Sequence, residues 1–140
     1  MNPDDARLRA QLMVWWTIWG SILAGLVLVY AVLGRSPLPA DAAPRQSLTG
    51  MIGIVPLFLS IILRWLVLPR RREPRSAFIL FVTGVALAEA CGILGIFLGG
   101  PYRDELFVLG VLGIAQYVPL FARQLLDPKK KIEGFGLRVE

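Results

Sequence analysis

The sequence predicts an all-α fold: a bundle of four membrane-spanning helices, one domain over residues 1–140, with both termini in the cytoplasm. Three observations predict it. Of 140 residues, 56% are hydrophobic, more apolar surface than a domain of this size can hide from water. The apolar residues collect in four tracts separated by polar breaks rich in Pro and Gly. Lys and Arg are concentrated at one end of those tracts.

A helix crosses the hydrocarbon core with about 20 apolar residues, within a range of roughly 17–25. The first tract, Leu12–Leu33, reads "LMVWWTIWGSILAGLVLVYAVL". The second is Gly50–Leu68, "GMIGIVPLFLSIILRWLVL", in which Pro56 is expected to bend the helix. The third is Ala77–Leu98, "AFILFVTGVALAEACGILGIFL". The fourth, Leu106–Ala122, "LFVLGVLGIAQYVPLFA", is the shortest and has Pro119 near its end. Between them lie a loop at Gly34–Thr49, a basic turn at Pro69–Ser76 and a tight turn at Gly99–Glu105. A charged tail, Arg123–Glu140, closes the chain with Lys129, Lys130 and Lys131 in a row.

Charge orients the tracts. Arg7 and Arg9 precede the first, Arg70, Arg71, Arg72 and Arg75 follow the second, and Arg123, the three lysines and Arg138 follow the fourth. The opposite ends hold Arg35, Arg45 and Arg103. An excess of Lys and Arg marks the cytoplasmic side. Trp15, Trp16 and Trp19 then lie toward the inner interface and Tyr30 toward the outer one, as aromatic belts do. The first tract is longer than the roughly 7–15 residues of a cleaved signal's apolar region, so an uncleaved anchor is expected.

The composition also excludes chemistry. The chain has no histidine and one cysteine, Cys91, so an internal disulfide, a histidine-based zinc site, a Ser-His-Asp triad and a histidine-ligated haem are all ruled out. No phosphate-binding loop or dinucleotide fingerprint is present. Ser21 and Ser60 are expected to bond back to their own helices, and Cys91 to behave as a small hydrophobe. Neither enzymatic activity nor a cofactor or metal is expected. The net charge is +5, but the basic residues flank apolar tracts, so the expected partners are the lipid bilayer and anionic headgroups, not nucleic acid. A homo-oligomer or a larger membrane complex is the further expectation.

One carboxylate interrupts the third tract. Glu89 stands in "GVALAEACGILGIF" at 84–97, where a charge costs at least a few kcal/mol. Gly84, Ala88 and Gly92 are spaced by four, and Gly95 and Gly99 repeat the spacing. Small residues at that spacing admit a neighbouring helix. Glu89 is therefore expected to point into the bundle or a subunit contact. Two polar residues are candidate partners. Arg64 lies roughly 7 Å from the basic end of its tract and Glu89 roughly 18 Å from the same face, at 1.5 Å rise per residue. Arg64 is expected to snorkel toward the headgroups, and Gln116 to make a hydrogen bond between helices.

"GVALAEACGILG" at 84–95 resembles the carboxylate-bearing helix of the rotary ATPase proteolipid, the c subunit. The resemblance implies that Glu89 is a proton or sodium site. It covers about a dozen residues, and the second tract, with Phe58, Arg64 and Trp65, departs from that family's glycine-packed partner helix. Over its whole length the chain resembles small four-helix bacterial membrane proteins of unknown function, through "W..IW..I" at Trp15–Ile22 and "ALAEA.GI.G" at Ala86–Gly95. The small multidrug transporters are also four-span proteins with one membrane glutamate, but theirs is in the first helix. Two functions are therefore expected in order. The first is a non-enzymatic accessory, assembly or self-associating bundle of the bacterial inner membrane. The second is a proton- or cation-coupled carrier, or proteolipid-like subunit, built on Glu89.

Overall fold

The computed structural model describes residues 3–34, 52–71, 73–98, 100–120 and 122. Most of the Gly34–Thr49 loop, Gly50, Gly99 and the Arg123–Glu140 tail lie outside them. The described residues are helical and contain no strand: α1 Pro3–Val29, α2 Ile54–Ile62, α3 Pro74–Leu98 and α4 Arg103–Ala115.

Two helical stretches, Ala6–Gly34 and Pro74–Leu98, are long and apolar enough to cross a membrane. They coincide with the first and third expected spans. The other two are shorter as regular helices, for local reasons. α2 loosens into a π-helical turn at Leu63–Val67 and tightens into a 3-10 turn at Leu68–Arg70. The Arg70 guanidinium folds back to donate to the Leu66 carbonyl at 2.8 Å, a cation at a helix C-terminus. α4 stops at Ala115, four residues before Pro119.

Pro56 falls in the first turn of α2. It is the third residue of that helix, where the backbone N–H has no partner inside the helix in any case, so a missing donor costs nothing. Pro74 opens α3 in the same permissive place. At the far end of α3, Gly100 takes φ 49°, a left-handed conformation that suits glycine, and the chain turns into α4. Asp104 and Glu105 begin α4, where negative charge faces the positive end of the helix dipole.

α3 is the central element and packs against the other three helices. α1 runs parallel to it: Trp15 meets Phe78 and Phe81, and eleven residues later Leu26 meets Gly92. α2 runs antiparallel, with Leu57 clustered near Cys91 and Ser60 bonded at Gly84. α4 is also antiparallel, with Leu106 at Gly95, Gly110 at Gly92 and Tyr117 at Gly84. The core is Trp15, Leu26, Phe81, Val85, Ala88, Ile114 and Tyr117. The outward faces are apolar too, with Met13, Leu28, Phe58, Trp65 and Leu112 all well exposed.

Candidate functional site

Small residues set the depth of the central joint. A side-chain carbon added at Gly110 would sit 2.8 Å from the Cα and N of Gly92, so α3 and α4 touch backbone to backbone there. Gly113 leaves room for Leu57 and Ala88, and Gly95 for Leu106. Gly92 receives the Leu26 side chain from α1, and Gly84 receives the Tyr117 hydroxyl from beyond α4. Gly84, Ala88, Gly92 and Gly95 are all buried.

The polar groups gather where the last helix breaks. Pro119 has no N–H to give Ala115, so the chain tightens: Tyr117 N–H donates to Ile114 O at 3.0 Å and Val118 N–H to Ala115 O at 3.1 Å. The Leu120 N–H, which a continuous helix would aim at Gln116, donates to Val118 O at 2.8 Å. The Gln116 carbonyl is thereby freed inside the bundle. Arg64 Nε supplies its donor at 2.8 Å. Trp19 Nε1 of α1 donates to the Ile114 carbonyl at 2.9 Å, and Trp65 Nε1 donates to the Gln116 side-chain oxygen at 3.2 Å. The Arg64 guanidinium carbon is 5.8 Å from the Tyr117 ring centre and 5.9 Å from that of Trp65, within cation–π reach.

A second layer joins α2, α3 and the break. Tyr117 Oη donates to Ser60 O at 2.6 Å, and Ser60 Oγ donates to Gly84 O at 2.7 Å. Both side chains are fully buried. Hydroxyls without partners would be costly there, and these have them. Gln116 Nε2 is a buried side-chain donor with no hydrogen-bond partner among the described residues.

Three expectations meet different outcomes. Arg64 and Gln116 are brought together, but through the Gln116 backbone carbonyl, and the Arg64 side chain turns to the break. Ser60 does not bond to its own helix. Glycine at 84 exposes a neighbouring carbonyl within reach, and the hydroxyl takes it. Glu89 lies outside this cluster. It is one residue, about 100° around the helix, from Ala88, at the half-exposed edge of the packed stripe. It makes no hydrogen bond or ion pair among the described residues. It is five residues beyond Gly84, so about 7.5 Å further from the basic end than the Tyr117 hydroxyl.

Sequence reasoning passes over Tyr117 and reads Trp19 as an ordinary belt aromatic. The signal that finds them is Pro119: a proline late in an apolar tract frees carbonyls upstream, and those carbonyls need donors from other helices. Among the described residues no group of three or more metal-ligating side chains forms. Comparison with protein-family models, with curated proteins and with solved structures gives no match to this chain.

Proposed function

We propose that this chain is a multi-pass protein of the bacterial inner membrane, a four-span accessory or assembly bundle without catalytic machinery. The observation that carries the reading is where the buried polar groups point. Arg64, Trp19, Ser60 and Tyr117 all donate to backbone carbonyls of neighbouring segments. In hydrocarbon such bonds hold irregular backbone in place. They make a joint, and the apolar outer faces of α1 and α2 are left for lipid or for other membrane segments.

The direction of the helices supports a third crossing. If α1 and α3 both span, being parallel, the chain between them must cross back, and α2 is the described helix there. From Ile54 to Arg70 it is continuously helical, roughly 25 Å at 1.5 Å per residue, near the thickness of the hydrocarbon core.

A second reading, a proton- or cation-coupled carrier, draws on one observation: Glu89 is a half-exposed carboxyl without a partner among the described residues. One substitution separates the two. In the accessory bundle, Glu89→Gln leaves both the melting temperature and the behaviour of protein-loaded liposomes across pH unchanged. A carrier would keep its melting temperature and lose a pH-dependent flux that wild type shows, because glutamine cannot titrate. Such a flux in wild type, abolished by the amide, would overturn the proposal in favour of the second reading.

A further inference from the structure

Away from the helix break, the middle of α1 and the first turn of α3 leave a groove of about 370 Å³ between them. Its walls repeat at helical spacing. Gln11, Val14 and Trp15 come from α1, and Pro74, Arg75 and Phe78 from α3. Residues three and four apart share a face, so each helix turns one continuous strip toward the groove. The helices are parallel, and the contact of Trp15 with Phe78 brings Gln11 of α1 to the level of Arg75 at the start of α3. Trp15 lies about 6 Å deeper along the axis and Phe78 about 4.5 Å deeper, with ring centres 5.1 Å apart.

We propose that this groove binds one anionic phospholipid of the leaflet facing the basic ends of the helices. The inference rests on the membrane reading above and adds a ligand class and a site to it. The shape is amphipathic in the same sense as the ligand: a cation and an amide at the mouth, aromatic and aliphatic walls behind. Arg75 is exposed and makes no hydrogen bond or ion pair among the described residues. Its guanidinium presents a planar pair of donors suited to a phosphate, and the Gln11 amide adds another. Glu73, the nearest carboxylate in sequence, accepts the Ser76 hydroxyl at 2.7 Å and does not line the groove. Val14 and Phe78 offer the start of an acyl chain a path away from water. The volume takes a headgroup with the first part of a chain, while the remainder lies against the exposed apolar face of α1, where Met13 is 68% exposed. A cation at the mouth favours a lipid of net negative charge over a zwitterionic one.

The test uses the full-length protein in detergent, with lipid retention read by native mass spectrometry. Phosphatidylglycerol is expected to be retained one per chain, at concentrations about tenfold below those needed for phosphatidylcholine, as a charge-assisted hydrogen bond would give. Arg75→Gln removes that difference, whereas Arg7→Gln, an equal loss of charge outside the groove, keeps it. Val14→Trp fills the groove from an exposed position and lowers retention of phosphatidylglycerol without changing the lipid-free melting temperature. Inorganic phosphate at millimolar concentration does not compete. Equal retention of the two lipids, or equal effects of Arg75→Gln and Arg7→Gln, overturns the site and points to diffuse attraction. Competition by inorganic phosphate overturns the lipid and points to a free anion. Release of the wild-type chain from membranes by alkaline carbonate would instead overturn the membrane reading, whatever the lipid result.

Discussion

The Tyr117 hydroxyl occupies the place where any side chain larger than hydrogen at residue 84 would begin. Gly84→Ala therefore has to expel that hydroxyl, and its bond to Ser60 goes with it. The expected cost is about 1–3 kcal/mol, from overpacking together with a lost buried hydrogen bond, measured as a fall in melting temperature in detergent. Tyr117→Phe alone removes the bond but leaves the ring against Phe81, whose centre is 6.2 Å away, so about 1 kcal/mol is expected. The double variant should cost less than the two singles added, because both act on one contact; additive costs would show that the hydroxyl and the glycine are independent. At this scale the sequence was half legible. The fourfold spacing of Gly84, Ala88 and Gly92 marked a packed face, since only small residues let backbones meet. What fills the space at Gly84 was not legible, because a tyrosine in an apolar tract carries no sign of its partner. Glu89 was prominent for its cost in hydrocarbon, and cost alone does not say which way a side chain at the edge of a packed stripe will face.

Between elements, the α3–α4 joint and the helix break invite separate tests. Gly110→Ala drives a methyl group into the backbone of Gly92, which has no rotamer to change. We expect a loss of about 1–3 kcal/mol. Gly20→Ala on α1, where nothing lies within 4 Å of the added carbon, should be neutral or stabilising by up to about 1 kcal/mol from helix propensity. Equal melting temperatures for the two variants would contradict the close approach. At the break, Arg64→Met keeps much of the side chain's length and removes the donor to the Gln116 carbonyl. A loss of about 1–3 kcal/mol is expected for the unpaired carbonyl, and Arg64→Met combined with Pro119→Ala should recover part of it, since residue 119 regains an N–H and the helix can continue. The apolar bodies of the two long helices were legible because unbroken apolar runs of that length have few other fates, while the polar start of α1 from Pro3 was not. α2 and α4 were less so. The proline at 56 looks disruptive and falls harmlessly in a first turn, while the one at 119 looks terminal and reorganises three helices. Position within a helix decides between those outcomes, and that position depends on where the helix begins.

For the whole molecule, charge and direction make one joint prediction. A reporter fused after Glu140 should read cytoplasmic and one inserted at Asp41 external. Two cytoplasmic signals would mean that an even number of crossings separates the two positions, so that α2, α3 and α4 do not all span, and the reverse pair would invert the molecule and place the lipid groove in the other leaflet. Two of the apolar tracts were legible as helices of membrane-crossing length, because lipid imposes a length, and the Lys/Arg bias supplies the side that the reporters test. The task of the molecule was not, because the polar groups that could have announced it turn out to hold backbone.

α1 differs from its neighbours in how it is held. Of its most apolar stretch 11% is buried, against 39% for α3, and its inward contacts are few large side chains, Trp15, Trp19 and Leu26, set against a glycine-lined joint between α3 and α4. Pulled mechanically from either end, the molecule should therefore respond unequally. Traction on the N-terminus would peel α1 away as a separate early event at low force, leaving the remaining helices together. Traction on the C-terminus would have to shear the backbone contact at Gly92 and Gly110 and tear Arg64 from the Gln116 carbonyl before anything else could follow.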